Sequence, residues 1–452
     1  MHFAAQSIAS LIYKLIAVLC CIISFMGGEA ILHIPEGINF DCTGCGNCCF
    51  SWPVPLTDDD LKRICSLEIQ GHQKEPVHVI KAGVAGSSGQ RAFTSALGKR
   101  ADGKCQYLSP DNRCQIHNQF GEEAKPSMCR LFPYTFTPTP AGVWAAASFA
   151  STGVLYNSGR PLTSQKEHLM RTYELFQSLY PDLAPDWTGL QLVDGQSLGF
   201  EEYLKIETRL LSALSENSAA GASSSSSSSS SSTTTSSSSS SEWRTEKILS
   251  GLAKQTSIQI KQKRDLDKVP GLETKPRTVD SLLVSSLLTA YFPDDVYKEN
   301  ACEIDTAQLA RSLVMPPAKV QLQFDGGLVN FSDLNNYTLG RLNEQAESLL
   351  RRFAYLKVFS KLYFGPGFAG LSLIAGLNHL SVIVSLVRIV IKLQNHKSNT
   401  KGSEIAFEEV AECVRMLERR LTVASYSRET KTMLEVLLSS SERAERIAML
   451  AS

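Results

Sequence analysis

Neither sign of charge dominates this chain. In 452 residues, 45 Lys and Arg stand against 45 Asp and Glu, and no long basic run breaks the balance. Nucleic-acid binding therefore has no electrostatic footing at the level of the whole chain, because such partners are held first by a field that neutralises phosphate. Glycine signatures are missing as well. No G-x-G-x-x-G follows a strand-like run, and Gly365-Pro-Gly-Phe-Ala-Gly370 sits between two helical patterns, where it reads as a hinge. A P-loop, a G-x-S-x-G elbow and an H-E-x-x-H helix are also absent, which removes the signatures of phosphate cradles, serine hydrolases and zincins. Radical S-adenosylmethionine chemistry needs cysteines spaced x3 then x2, and Cys42-x2-Cys45-x2-Cys48 does not match.

What the chain does hold is cysteine in a pattern. Seven of its twelve cysteines run Cys42-x-x-Cys45-x-x-Cys48-Cys49, then Cys105, Cys114 and Cys129. With 12 cysteines in 452 residues, three more at fixed offsets from a given one arise by chance with a probability of roughly 2×10⁻⁵. Thiolates at turn spacing are how a chain gathers soft ligands for zinc, iron or an iron–sulfur centre. Gly44, Gly46 and Asn47 between them permit positive φ, so a tight loop can turn sulfurs and backbone N–H groups toward one centre. In extended chain Cys48 and Cys49 would point apart, which predicts that they serve different metals or that one is structural. The run differs from that of a bacterial ferredoxin, whose fourth Cys stands three residues on and precedes Pro; here the fourth is immediate and Phe50 follows. Turn signals at Asp102-Gly103 and Ser109-Pro-Asp-Asn112 predict a β-hairpin carrying Cys105 and Cys114. Pro126 and Pro133 bracket Cys129 and predict a rigid connector there.

The blocks Cys42-Thr-Gly-Cys-Gly-Asn-Cys-Cys49, Cys105-Gln-Tyr-Leu, Cys114-Gln-Ile-His and Pro126-x-x-Cys129-Arg-Leu-Phe-Pro133 resemble the CxxCxxCC cysteine-cluster family, a zinc- or iron-chelating domain that includes flagellin lysine N-methylases. The likeness covers roughly residues 38–160. It implies metal ligation by Cys42, Cys45, Cys48, Cys49, Cys105, Cys114 and Cys129, through zinc or a 4Fe–4S cluster. For the methylase branch it further implies S-adenosylmethionine-dependent methyl transfer to lysine amines of a protein substrate. Members of that branch often carry another cysteine soon after the Leu-Phe-Pro segment, whereas Ser148-Phe-Ala-Ser151 has none.

Other cysteines and histidines read as ordinary. Thr57 with Asp60 forms an acidic capping box, so a helix should start there, with Leu61, Ile64, Cys65 and Ile69 on its apolar face. Cys413 falls in a helical stripe with Val410, Leu417 and Leu421, and Cys65 and Cys413 are both expected in the core. Cys302 is uninformative. His117 could bring the ligands to eight, enough for two tetrahedral zincs, but a surface histidine near a turn is the commoner outcome; His72 and His78 are weaker candidates still.

The expected fold class is α+β, a small irregular cysteine-cluster metal domain with short hairpins plus a larger mainly α-helical domain. Residues 1–30 hold an apolar segment, 31–165 the cysteine domain, 166–215 a helical extension, 216–242 a Ser/Thr-rich linker and 243–452 the helical domain. Leu15–Met26 is too short for a span after Lys14; it reads as a signal or anchor, or as sequence upstream of a start at Met26, with Cys20 and Cys21 not ligands. Helices are predicted over 280–292 and 341–364, a hairpin around Asp325-Gly326-Gly327, and a final pair of helices after Ser403. The apolar run 368–393 is long enough to cross a bilayer, but Asn378, His379, Arg388 and Lys392 favour a central buried helix. Clustered thiols on a long chain point to the cytoplasm or another reducing compartment. Three functions stay open: a lysine methylase, a non-catalytic metal module that shapes an interaction surface, and an electron carrier.

Overall fold

A computed structural model describes residues 30–50, 54–69, 79–80, 93, 95–215, 245–261, 277–292, 311, 320–324, 327–335, 337–398, 404–423 and 426–451. The apolar N-terminal segment with Cys20 and Cys21, the Ser/Thr-rich linker, His72, His78 and Cys302 lie outside these residues. The architecture is α+β, as the pattern of short strands followed by long helical periods predicts.

The described residues begin with β1 (Leu32–His33), then β2 (Val54–Leu56), α1 (Asp58–Cys65), β3 (Val79–Ile80) and β4 (Ser95–Leu97). β2 and β3 both pair antiparallel with β4 in a small sheet. The capping box at the head of α1 forms as predicted: Thr57 Oγ1 accepts from the Asp60 N–H at 3.1 Å, and Asp60 Oδ2 accepts from the Thr57 N–H at 3.2 Å. Replacing Thr57 with Ala should cost about 1 kcal/mol, measured by urea unfolding. Next come α2 (Gln115–Phe120) and α3 (Ser127–Leu131), both short. These pieces enclose a minor hydrophobic core of Val54, Leu56, Ile64, Leu97, Tyr107 and Ile116, among others.

β5 (Tyr134–Thr139) and β6 (Gly142–Ala147) form an antiparallel pair, and β1 adds parallel to β6. Along β5, Tyr134 and Phe136 point one way by the period of two, and Phe136 meets Tyr173 and Phe176 of the later helix. Then follow α4 (Thr152–Leu155), α5 (Lys166–Leu179), the hairpin β7 (Gln191–Val193) and β8 (Gln196–Ser197), and α6 (Phe200–Leu214).

Beyond the linker lie α7 (Thr245–Lys261), α8 (Thr278–Tyr291), the hairpin β9 (Gln321–Phe324) and β10 (Gly327–Asn330), α9 (Phe331–Asn335), α10 (Glu344–Phe359), α11 (Leu373–Lys397), α12 (Phe407–Val423), α13 (Arg428–Leu438) and α14 (Ser441–Leu450). α10 is shorter than the predicted 341–364. Asn343 caps its start by accepting from the Ala346 N–H at 2.8 Å, and the chain turns at Ser360 and Lys361, the latter at φ 59°. A Cβ on Gly367 would stand 2.0 Å from the Lys361 carbonyl oxygen, so this turn requires glycine. The predicted final pair of helices is in fact three, because Ser439 and Ser440 break the period and restart it.

α11 is long and apolar enough to cross a membrane by length and composition, yet its whole apolar window is buried inside the protein. α7, α12, α13 and α14 pack around it, as expected of a helix apolar on every side. Four of its buried polar residues reach across to other helices. Asn378 Nδ2 donates to the Leu438 carbonyl at 2.8 Å, Lys392 Nζ to the Leu450 carbonyl at 3.0 Å, and Arg388 Nε stands 3.0 Å from Glu246 Oε1. His379 Nε2 shares a 2.7 Å hydrogen bond with the Tyr291 hydroxyl, and burial pushes its pKa down to about 3, so the ring is neutral.

A second buried charge lies where α6 meets the end of α10. Lys361 is fully buried, its Nζ 2.9 Å from Glu207 Oε1 and 3.5 Å from the centre of the Trp144 ring. Burial lowers its pKa to about 8 even though Glu207 opposes the shift. Another pair, Lys357 with Glu418, ties α10 to α12 at 2.6 Å, and Ser148 Oγ donates to Glu418 at 3.0 Å.

Candidate metal centre

The glycines of the first cysteine block do what their positions suggest. Gly44 and Gly46 hold φ of 66° and 73°, and Gly46 opens a 3-10 turn over Asn47–Cys49. A Cβ on Gly46 would come within 3.1 Å of Leu108 and 3.2 Å of Asn112, so the loop lies directly on the Leu108–Asn112 turn. The local backbone is helical rather than extended, and this overturns the expectation that Cys48 and Cys49 point apart. Their sulfurs are 3.8 Å from each other.

Three more cysteines come to the same place. The Cys105 N–H donates to the Cys49 carbonyl at 2.9 Å, and Lys99 Nζ donates to that oxygen at 3.2 Å. A tight turn follows, with Ser109 N–H on the Arg113 carbonyl and Asn112 N–H on the Ser109 carbonyl, both at 2.9 Å. It returns Cys114 to an antiparallel bridge opposite Leu108, so the predicted hairpin exists as a turn with isolated bridges and no strands. Cys129 lies within α3, the brief connector expected between the two prolines. Buried Asp60 anchors that helix: its Oδ1 accepts from the Ser127 N–H at 3.0 Å and from the Ser127 hydroxyl at 2.8 Å, and it also pairs with Arg63. Cys49, Cys105, Cys114 and Cys129 all pack into the minor core.

These thiols feel one another. The hydrogen bond from Cys49 is the main influence that lowers Cys48, to about 7, against burial and with help from Lys125 and Lys99. The same hydrogen bond, with burial, drives Cys49 strongly upward, and the charges of Cys48, Cys105 and Cys129 push the same way. Burial raises Cys129 and Cys105, with neighbouring sulfurs adding to it. Thiols crowded in an apolar pocket resist losing their protons because each anion would face the others undiluted by water. A cation held among them reverses that preference.

The donor set fits such an ion. Zinc–sulfur bonds of about 2.3 Å at tetrahedral angles place ligand sulfurs roughly 3.8 Å apart, the separation seen between Cys48 and Cys49. Among the described residues, no three His, Cys, Asp or Glu side chains stand together tightly enough to hold an ion as placed. Two of Cys105, Cys114 and Cys129, all packed in the same minor core, would complete a tetrahedron with Cys48 and Cys49.

Cys42 and Cys45 are held differently. Cys42 is exposed, and the Cys45 thiol donates to Thr152 Oγ1 at 3.2 Å. His117 is exposed on α2. Cys413 is buried as expected, with its thiol pushed up to about 12. Cys65 contradicts its core expectation: it is exposed at the last position of α1, about 100° around the helix from buried Ile64. Thr152, Lys99, Lys125 and Arg419, which meet the cysteine loop or its charges, carry no spacing signal. Thr152 stands one residue past a cysteine-free segment in which only a thiol pattern would have drawn notice.

No curated protein and no solved structure matches the chain. Residues 41–152, from Asp41 to the threonine that receives the Cys45 thiol, match the family model CxxCxxCC, described as a putative zinc- or iron-chelating domain. The match covers about a quarter of the chain, and metal chelation is the property the family description attaches to that domain.

Proposed function

We propose that this protein binds a zinc or iron ion through the thiolates of Cys48 and Cys49, completed from Cys105, Cys114 and Cys129. The observation that carries this reading is the sulfur pair at 3.8 Å; the packing of Cys105, Cys114 and Cys129 against the same minor core as Cys49 supports it. An ion there would supply the positive charge that lets several buried thiols stay ionised together. The chain's own part is to hold the sulfurs, exclude water with Leu108 and Tyr107, and brace the loop through Lys99. The pair spacing favours one tetrahedral ion over a cubane, whose ligands radiate from separate corners. The family resemblance extends the ligand set to Cys42 and Cys45.

Anaerobic purification with metal analysis and a visible spectrum tests the reading. One zinc or one iron per chain is expected, halved or lost in Cys48→Ser and Cys129→Ser and unchanged in Cys65→Ser. A brown protein with acid-labile sulfide would replace the single ion with a cluster, and a metal-free chain would end the proposal. Methyl transfer from S-adenosylmethionine to lysine is the finer reading, and it rests on the resemblance alone. Labelled donor, incubated anaerobically with lysine-rich proteins, tests it; neither donor binding nor transfer would leave a metal module that organises a surface.

A further inference from the structure

We propose that Arg419 is a positioning residue of the metal centre, coupling the cysteine loop to the helical body; this rests on the metal-binding reading above. Arg419 lies on α12, and its Nη2 donates to the Asn47 carbonyl at 3.1 Å. That carbonyl belongs to the peptide that leads into Cys48. A peptide unit is planar, with C=O and N–H on opposite sides, so fixing the oxygen toward α12 turns the Cys48 N–H the other way. The Cys48 side chain is carried on that same peptide, so a fixed plane narrows where its sulfur can stand. Hydrogen bonds behind a thiolate ligand orient it in this way.

Asn47 is gripped at its side chain too. Its Nδ2 donates to Thr152 Oγ1 at 3.1 Å, the same oxygen that receives the Cys45 thiol. Thr152 begins α4, whose last carbonyl, Leu155, accepts from Arg352 Nη2 of α10 at 2.9 Å. The residue beside Arg419, Glu418, is locked to Lys357 of α10 and to Ser148. A closed circuit therefore runs from the cysteine loop through α4 to α10, across to α12, and back to the loop by way of Arg419. Coupling of this kind is reciprocal: if the helices steady the ligands, a bound ion must steady the helices.

The test uses the full-length chain in reducing buffer, loaded with zinc, and follows release to a chromogenic chelator. Arg419→Met should bind the same number of ions and release them roughly tenfold to a hundredfold faster, with Arg419→Lys in between. Thr152→Val, which removes the shared acceptor without changing shape, should also speed release. Zinc should slow amide exchange across residues 415–423 in the unsubstituted protein and not in Arg419→Met, an effect that a merely structural arginine would not give. Wild-type release rates in both Arg419→Met and Thr152→Val, or exchange at 415–423 indifferent to zinc, overturn the inference. If the unsubstituted chain takes up no metal, the metal-binding reading falls and this inference falls with it.

Discussion

Stripping the ion from the thiolate site should unravel the minor core while the helical body stays folded. That core has few fully buried side chains, and several of its members are the cysteines themselves. A cluster so small buries too little apolar surface to offset the ordering of its loops. Structural zinc contributes on the order of 10 kcal/mol to the folding of such units, so the ion would supply most of what holds these loops together. Limited proteolysis after chelation in reducing buffer should cut within residues 42–131, while far-UV circular dichroism changes little because most helix lies elsewhere. Undiminished protection of that region in metal-free protein would contradict this account.

The other large effect lies far from the cysteines. Removing Glu207 leaves the Lys361 ammonium buried against Trp144 without its carboxylate. Glu207→Gln should therefore cost about 3–5 kcal/mol near neutral pH, whereas the double change Glu207→Leu with Lys361→Met should be neutral or stabilising. The pH dependence has a definite sign. In the fold Lys361 gives up its proton near pH 8, against an ordinary value of 10.5. Between those values the unfolded chain binds more protons, so stability rises with pH across that window and is lost as pH falls back through about 8. Urea unfolding at pH 7.5 and pH 10 should show this rise in the natural chain and a weaker one in the double variant. Equal slopes in the two proteins would mean that Lys361 is already neutral or already solvated.

How far the sequence revealed this molecule depends on the range of the interaction. Thr57 and Asp60 are three residues apart, and the capping box they spell is the one that forms. The strands either side of Asp325-Gly326-Gly327 were equally readable, because a hairpin is local. Polar interruptions in the apolar run around His379 gave away a buried helix. The cysteine block announced its chemistry through spacing, but the side-by-side sulfurs of Cys48 and Cys49 depended on a helical turn that two adjacent cysteines do not dictate. Lys361 and Glu207 are 154 residues apart, and Arg419 meets Asn47 across 372. No local period encodes such meetings. The hint that was available is chemical: a lone lysine in Phe359-Ser-Lys-Leu-Tyr-Phe364 has little water to turn to.

α11 carries a consequence for biosynthesis. Its shields include α7, more than a hundred residues upstream, and α14, more than forty downstream. As the ribosome releases this stretch, three of the four helices that pack around it have yet to be made, and to insertion machinery it looks like a segment bound for lipid. Chaperones that mask greasy nascent helices should therefore engage this chain until Leu450 has emerged to receive the Lys392 ammonium.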